Sequence, residues 1–468
     1  MFGQGLPVER LRQYLVELKP EARALLISEL ERGLLRGDDT AGAELVLNEL
    51  RRSLREAGRR VQRVGNPARL FFQPLEPFLV DDAPEHQHHG RVARAALDPV
   101  WQWICNFVMK SEAESYSDLV EHALIANDAA TATQIAHDFQ DRAAPRMSEA
   151  LNAIKNDDKA GRRLNLQIGT PRALEDVRII SGVLMVRDNL AALSGQMPRH
   201  IKSLSGATLE SIKTLLDSPL GRSTEVFPYA LLLVMNKLAA SWQLIRLATH
   251  AAGSDAAARI AETPYALCVS IVLAEIERMV GELTADLKSG RGVAVASLLK
   301  DVHDAVRGLR TEIDLATDTP WSRQLAAILT QISEALTAVI ELIPGRVRQL
   351  LRPSKETSSS ARLHEDDVTE TEALVGFVTA CRNYASELAV NEITLRTFSE
   401  LQQYLDSNTR ALLDALRVAN NAERGYRQSQ VDAAVRFCAK IFGKEYAALL
   451  AKASEVAAHD VERRTVKA

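Results

Sequence analysis

Apolar residues recur every three or four positions through most of this chain, which is the spacing of one face of an α-helix. Leu11, Leu15 and Leu18 form such a stripe near the start, and similar stripes follow along the sequence. No segment alternates apolar and polar residues between the turn signals of a β-hairpin. Alanine and leucine dominate the apolar set, and both lose little side-chain freedom in a helix. The sequence therefore predicts an all-α protein made of multi-helix bundles.

The chain has 468 residues, which is enough for two to four domains at roughly 100–200 residues each. Shifts in composition divide it into five parts. We predict an N-terminal helical bundle over 1–65, a Pro-rich, extended and packed segment over 66–98, a central helical domain over 99–352, a flexible linker over 353–368, and a C-terminal helical domain over 369–468.

The two non-helical parts of this division have different compositions. Four prolines between positions 67 and 84 prevent a continuous helix. Phe71, Phe72 and Phe78 are nevertheless too apolar for a free linker, so we expect this segment to lie extended across a helical surface. The serine-rich and acidic residues of 353–368 bury too little apolar surface to offset the entropy of ordering, so we expect them to be mobile.

Local start and stop signals place several helix ends. Asp98 before Pro99 predicts an N-cap, and the pair Thr319-Pro320 predicts another helix start. A capping box at 369–372 predicts that helix resumes there. The polar, glycine-containing stretch 157–170 predicts a loop. The apolar stretch 229–249 predicts one continuous helix.

Charge and cysteine usage limit the classes of function. The formal net charge is −4, from 57 basic and 61 acidic residues, so overall charge gives no argument for a nucleic acid or a membrane. The 4 cysteines include no C-x-x-C pair, which favours buried thiols in a reducing compartment. The first residues do not resemble a signal peptide, and polar residues interrupt the apolar stretch 226–252. We therefore predict a cytoplasmic protein with no transmembrane segment.

One loop contains the densest group of metal-ligand residue types. Within nine positions it carries five candidate ligands, namely Asp82, Glu85, His86, His88 and His89. Imidazoles and carboxylates are ligands for transition metals, so a metal-dependent enzyme is one alternative. The spacing matches no defined site, and prolines interrupt the loop. A solvated polar loop is the interpretation that we favour.

A second candidate site is an arginine ridge near the N-terminal end of the chain. Four of its members lie at helical spacing and would share one face, namely Arg52, Arg55, Arg59 and Arg63. Such a ridge could bind phosphates or an acidic partner, so a nucleic-acid or anionic-membrane-surface binder is the other alternative. No aromatic residues interleave with the arginines, which favours a solvated helix face. A shorter basic run, Arg346, Arg348 and Arg352, offers only weak attraction to a membrane.

Motifs for nucleophilic catalysis or nucleotide binding are missing from the sequence. It contains no G-x-S-x-G, no G-x-x-x-x-G-K-[ST] and no G-x-G-x-x-G. We therefore predict no catalytic residue, no cofactor and no small-molecule substrate. The expected function is that of a non-enzymatic helical scaffold or regulatory protein, acting through a protein partner or a homo-oligomer.

Overall fold

A computed structural model describes most of the chain from Asn66 onward. The described residues are 66–80, 90–154, 157–169, 172–288, 292–315, 318–352, 362–420 and 423–465, together with residues 26, 30 and 46. This part of the chain is overwhelmingly helical, which confirms the all-α prediction. Its paired strands are β1 (Leu79–Val80) and β2 (Val92–Ala93), which run parallel with Leu79 opposite Val92.

The helices follow one another closely along the chain. The earlier ones are α1 (Pro67–Phe71), α2 (Leu97–Trp103), α3 (Ala113–Ile125), α4 (Ala129–Ile154), α5 (Asp158–Ile168), α6 (Ala173–Met185), α7 (Arg187–Gln196), α8 (Gly206–Leu216), α9 (Phe227–Lys237), α10 (Ile245–Ala252) and α11 (Ala257–Ala261). The later ones are α12 (Ala266–Lys288), α13 (Gly292–Glu312), α14 (Pro320–Ile340), α15 (Ile343–Leu351), α16 (Glu365–Tyr384), α17 (Asn391–Val418), α18 (Arg424–Ile441) and α19 (Lys444–Thr465).

The described residues belong to two compact units. Among the described residues, the first unit comprises those within 66–80, 90–195 and 220–229, and the second comprises those within 196–219 and 230–465. The five-part division expected from composition stays a prediction, since much of it concerns residues outside the described ranges.

The first unit is organised around α4, which packs against α1, α3 and α6. Its buried side chains recur at helical spacing and include Ala132, Ala136, Phe139, Ala143 and Met147. The ring of Phe139 stacks on Tyr116 of α3, with ring centroids 4.1 Å apart. The Tyr116 hydroxyl donates to the Pro67 carbonyl at 2.8 Å, which ties α1 to this aromatic core.

Residues 66–80, the described first part of the Pro-rich segment, are mostly helical rather than extended. Phe71, Phe72 and Phe78 are all buried. After α1 the chain forms a 3₁₀ helix over Gln73–Phe78 and then enters β1. Pro67 and Pro74 are compatible with these short helices because a proline in a first turn gives up an N–H that has no partner in the helix. Within residues 66–80 the prolines therefore limit helix length rather than exclude helix.

Two helix boundaries in the first unit differ from those predicted. Helix α2 begins at Leu97, because a 3₁₀ turn over Arg94–Ala96 leads directly into it, so Asp98 lies in the first turn and is not the N-cap. The predicted loop 157–170 contains α5. Asp157 caps α5 by accepting from the Lys159 N–H at 2.9 Å, and Gly169 ends it with φ = 76°. Good caps at both ends offset the small number of apolar residues.

In the second unit the predicted helix 229–249 is interrupted. Helix α9 ends at Lys237, a 3₁₀ turn covers Ser241–Leu244, and α10 begins at Ile245. The backbone around Ile201 causes the break, because its N–H donates to the Lys237 carbonyl at 2.7 Å and its carbonyl accepts from the Ala239 N–H at 2.9 Å. These bonds replace the helical partners that a continuous helix would need.

The start of α14 agrees with the prediction, and that of α16 does not. Thr319 and Ser322 cap each other's backbone in a reciprocal capping box, and Pro320 occupies the first turn. Helix α16 begins at Glu365, so the last residues of the predicted linker are helical. Three acidic residues fill its first turn, where the helix dipole favours negative charge. Residues 353–361 lie outside the described residues.

In the second unit, α12 packs against α13 and α14. Helices α16, α17 and α18 pack against one another, and α19 packs against α17 and α18. Among the described stretches, Pro320–Leu351 has the length and mean hydropathy, 1.6, that a membrane span requires. It consists of α14 and α15, and the apolar stripe of α14 is buried in the unit. Leu325, Ile332 and Ile340 belong to this stripe, which is the pattern of an amphipathic helix, and 28% of the membrane-length window is buried.

Candidate functional site

A groove of about 400 Å³ lies on the surface of the first unit, between the end of α2, α4 and α5. We call it the α4–α5 groove. Its apolar lining consists of Trp103, Val108, Ala150, Ile154, Ala160 and Leu164. Phe107, Arg146, Glu149, Arg163 and Gln167 complete the lining. The size is within the range of sites that hold a small molecule or the side chains of a partner.

The turn that carries Phe107 is a π-helix over Ile104–Val108. Its widened geometry shows in the Met109 N–H, which donates to the carbonyl of Ile104 at 2.8 Å, five residues earlier. This turn keeps Ile104 fully buried and Trp103 96% buried, yet Phe107 is 59% exposed. Single π-helical turns within helices are frequent at functional sites, because they redirect side chains without ending the helix.

Small residues shape the concave surface of the groove. Ala150 of α4 and Ala160 of α5 both line it, where larger side chains would fill the space. Leu164 and Trp103 are buried at its base, while Ile154 is half-buried at the end of α4. Phe107 thus lies exposed beside an apolar depression, an arrangement that water solvates poorly.

Beside the groove, two arginines of α4 face a single carboxylate. Glu112, at the start of α3, accepts hydrogen bonds from two arginines of α4: Arg142, and Arg146 at 2.8 Å. A single carboxylate therefore faces two guanidinium groups, which leaves one positive charge in excess. Arg146 follows Pro145, an interior proline of α4 that cannot donate to the carbonyl four residues earlier.

Two further charged residues line the groove, one of each sign. Arg163 lies on the α5 side and Glu149 on the α4 side, and both are exposed. Neither has an ion-pair partner among the residues that the structure describes. The lining therefore combines an apolar depression with two arginines and one glutamate.

A second concave surface, of about 580 Å³, follows α3. Glu114, Asp118 and His122 lie there one helical turn apart. The Nδ1 atom of His122 is 2.7 Å from the carbonyl of Asp118, so this nitrogen is engaged with the helix backbone. Within the described ranges, no group of three His, Cys, Asp or Glu side chains has the geometry to hold a metal ion.

Buried titratable groups elsewhere in the first unit have shifted pKa values. Burial raises the pKa of Asp176 in α6 to about 6, against the opposing effect of Arg172. Burial also raises the pKa of the Cys105 thiol to about 11, which makes it a poor nucleophile. Cys105 is half-buried and the other three cysteines are buried, and all four are free thiols. None of these groups lines the α4–α5 groove.

The residues that the sequence singled out as sites mostly fall in undescribed parts of the chain. The candidate metal ligands Asp82, Glu85, His86, His88 and His89 lie outside the described residues. The arginine ridge, Arg52, Arg55, Arg59 and Arg63, lies outside them as well. Both assignments stay predictions.

The shorter basic run lies within the described residues, and two of its arginines face acidic residues of the same chain. Arg346 lies 3.9 Å from Glu370, and Arg348 forms an ion pair with Glu400. Pro344 and Gly345, which precede the run, belong to the first turn of α15 and do not end a helix. These internal ion pairs favour the interpretation of a solvated surface over that of a membrane contact.

Sequence reasoning did not find the α4–α5 groove. It predicted helix through Phe107, and a regular helix gives no reason to single out that side chain. The apolar run from Ile104 to Val108 was the available signal, because an aromatic residue next to an asparagine in such a run has no obvious buried position.

No protein family, curated protein or solved structure matches this chain.

Proposed function

We propose that this chain is a non-enzymatic helical scaffold or regulatory protein of the cytoplasm, and that it binds a protein partner through the α4–α5 groove. The observation that carries the proposal is the 59% exposure of Phe107 beside an apolar depression. A large apolar side chain held in water costs free energy, and burial against a partner recovers it.

The arrangement resembles the anatomy of protein interfaces. Such interfaces combine an apolar centre with a charged rim, and aromatic residues and arginines contribute much of their binding energy. The α4–α5 groove has Phe107 and an apolar base, with Arg146 and Arg163 beside them. These features support a binding role more directly than a catalytic one.

The occupant that fits best is an amphipathic helix. A groove between helices accepts the apolar face of another helix, whose anchor side chains are spaced three or four residues apart. The apolar lining comes from α2, the π-helical turn, α4 and α5, so a helix seated there would contact several elements. A second copy of this chain is a special case of the same proposal, because the chain itself is rich in amphipathic helices.

The proposal is tested by exchange of Phe107 for Asp in the full chain. Wild type, Phe107→Asp and a control, Leu449→Asp, are expressed with a tag in the native cell, cross-linked, purified and analysed by mass spectrometry. Leu449 is a suitable control because it is 67% exposed on α19, in the other unit. We expect a protein that the wild type and the control retain and that Phe107→Asp loses, and that also binds the purified wild type directly.

The opposite results are equally clear. If Phe107→Asp retains every partner of the wild type, the groove is not the docking surface. If the partner that depends on Phe107 is this chain itself, the protein acts as a homo-oligomer. In that case sedimentation of the purified wild type shows a dimer that the Phe107→Asp variant lacks.

A further inference from the structure

We infer that the partner segment is an amphipathic helix that carries carboxylates beside its apolar face, and that these carboxylates pair with Arg146 and Arg163. The inference rests on the proposed function and adds the chemistry of the partner. Its basis is the excess of positive charge beside the groove.

Two arginines of α4 share one carboxylate, that of Glu112. The side chains of Arg142 and Arg146 are 52% and 45% exposed, whereas that of their shared partner Glu112 is 25% exposed. The Glu112 carboxylate is therefore more buried than the guanidinium groups of Arg142 and Arg146, which lie nearer the solvent. Each guanidinium has five N–H donors, and the contacts to Glu112 use only part of them. A second carboxylate, arriving from solvent, would complete the neutralisation.

Further contacts hold both arginines in place. The Nη1 atom of Arg146 also lies 3.2 Å from the sulfur of Met109, a buried residue at the end of the π-helical turn. The Nε atom of Arg142 donates to the Asp138 carbonyl at 3.1 Å, and its guanidinium lies 5.8 Å from the centre of the Phe139 ring. These contacts fix both groups before binding, which lowers the entropy that a partner's carboxylate must overcome.

The α5 side of the groove also carries a positive charge. Arg163 of α5 supplies a cation across the apolar depression from α4, whereas Glu149 is the only acidic residue of the lining. A helix seated in the depression would therefore meet an arginine on each side. Carboxylates next to the apolar stripe satisfy both, whereas lysines or arginines there would be repelled. An acidic helix is favoured over a basic helix, and over a nucleic acid, whose phosphates would meet an apolar depression and Glu149.

The inference is tested with a displayed library of helical peptides whose surface positions are random and unbiased in charge. The library is selected against the full-length chain and depleted only against the immobilisation support, so that neither the charge of the peptides nor their dependence on Phe107 is imposed by the selection. We expect the enriched peptides to share apolar residues three or four positions apart, flanked by Asp or Glu. Binding of the leading peptide should weaken by about tenfold or more in Phe107→Ala and in Arg163→Glu.

Charge exchange separates the recognition of carboxylates from a general loss of structure. Arg163 has no ion-pair partner among the described residues, so Arg163→Glu disturbs the fold little. Arg146→Gln is the second variant, and Arg410→Glu, at an exposed position on α17, is the charge-matched control. We expect Arg410→Glu to bind as the wild type does. A peptide in which only the acidic residue that pairs with Arg163 is exchanged for lysine should regain binding to Arg163→Glu.

Several outcomes would overturn the inference. Enriched peptides without acidic residues, or an affinity unchanged in both Arg163→Glu and Arg146→Gln, would show that charge does not select the partner. Peptides that bind independently of Phe107 would show that the groove holds no helix. The two proposals fail separately: a cellular partner that depends on Phe107 but binds through a basic or non-helical segment preserves the proposed function and removes this inference.

Discussion

Gly308 of α13 lies directly against the indole ring of Trp242. A Cβ atom placed on Gly308 would be 2.2 Å from Cδ2 of Trp242 and 2.6 Å from its Cγ, far inside any real contact distance. Arg246 holds the indole from another side, with its guanidinium 5.1 Å from the ring and its Nε donating to Glu312 at 2.7 Å. The 3₁₀ turn Ser241–Leu244 therefore packs in direct contact with α13 at Gly308.

We expect Gly308→Ala to destabilise the protein by about 1–3 kcal/mol, because the methyl group forces Trp242 to move in a packed region. Thermal and urea unfolding measure the change. Gly281→Ala is the control, since nothing lies within 4 Å of a Cβ at Gly281 in the neighbouring helix α12. There the exchange should stabilise by about 0.5–1 kcal/mol, because alanine is the better helix former. Equal effects at the two positions would contradict the close packing at Gly308.

A second prediction concerns Ala389, between α16 and α17, which has φ = 56°. This left-handed conformation is unfavourable for alanine because its Cβ approaches the backbone, and glycine has no such cost. Ala389→Gly should therefore stabilise by about 0.5–1 kcal/mol, although glycine makes the unfolded chain more flexible. The side chain is exposed, so no packing is lost.

Ala385→Gly gives the matched comparison for that exchange. Ala385 is 3% exposed and has φ = −59°, which alanine adopts without strain. Glycine there should destabilise by about 1 kcal/mol, through lost packing and a more flexible unfolded chain. A loss of stability in both variants would mean that Ala389 is not strained.

Features of the fold that depend on nearby residues could be predicted from the sequence, and those that depend on distant ones could not. The start of α14 was predicted from the pair Thr319-Pro320, and the reciprocal cap between Thr319 and Ser322 that stabilises it is equally local. The break after α9 was missed because its cause, Ile201, lies 36 positions before Lys237 in the sequence. Likewise, the fully buried Gln430 donates to the carbonyls of Leu350 and Arg352, at the end of a helix far back in the chain.

The candidate site was missed for a related reason. A π-helical turn keeps nearly the same apolar spacing as an α-helix but rotates the following side chains, so periodicity cannot reveal which way Phe107 faces. The concave shape arises only when Ala150 of α4 and Ala160 of α5 are brought to the same surface. The residues that sequence reasoning did select, the His-containing loop and the arginine ridge, stand out by composition, which says nothing of packing.

A third prediction concerns pH and the buried carboxyl of Asp176, which is 6% exposed. Burial raises its pKa from 3.8 to about 6 in the folded chain, so the folded state binds the proton more tightly than the unfolded state. The resulting stabilisation is complete below the unfolded pKa and is lost as the pH rises through about 6. Above that range the buried, ionised carboxylate lowers the free energy of unfolding.

Asp176→Asn should remove this dependence. We expect the variant to be more stable than the wild type by about 1–3 kcal/mol at pH 8, with the difference shrinking towards pH 4. Urea unfolding across this pH range measures it. A destabilised Asp176→Asn at pH 8 would mean that the ionised carboxylate is stabilised by its contacts, contrary to the effect of burial.

The last prediction compares two phenylalanines of the first unit that differ in burial. Phe72 is 4% exposed, and its ring centroid lies 5.0 Å from that of Phe71 and 6.1 Å from that of Trp101. Phe72→Ala should destabilise by about 3–5 kcal/mol because it removes a buried ring and leaves a cavity. Phe107 is 59% exposed, so Phe107→Ala should change stability by no more than about 0.5 kcal/mol.

Thermal unfolding of both variants, together with binding of a selected peptide to Phe107→Ala, distinguishes a structural from a functional role. If Phe107 serves recognition, its loss lowers peptide affinity while the melting temperature stays that of the wild type. A melting temperature that falls as far in Phe107→Ala as in Phe72→Ala would instead show that Phe107 packs within the fold. The groove would then lose the exposed aromatic anchor on which the proposed function depends.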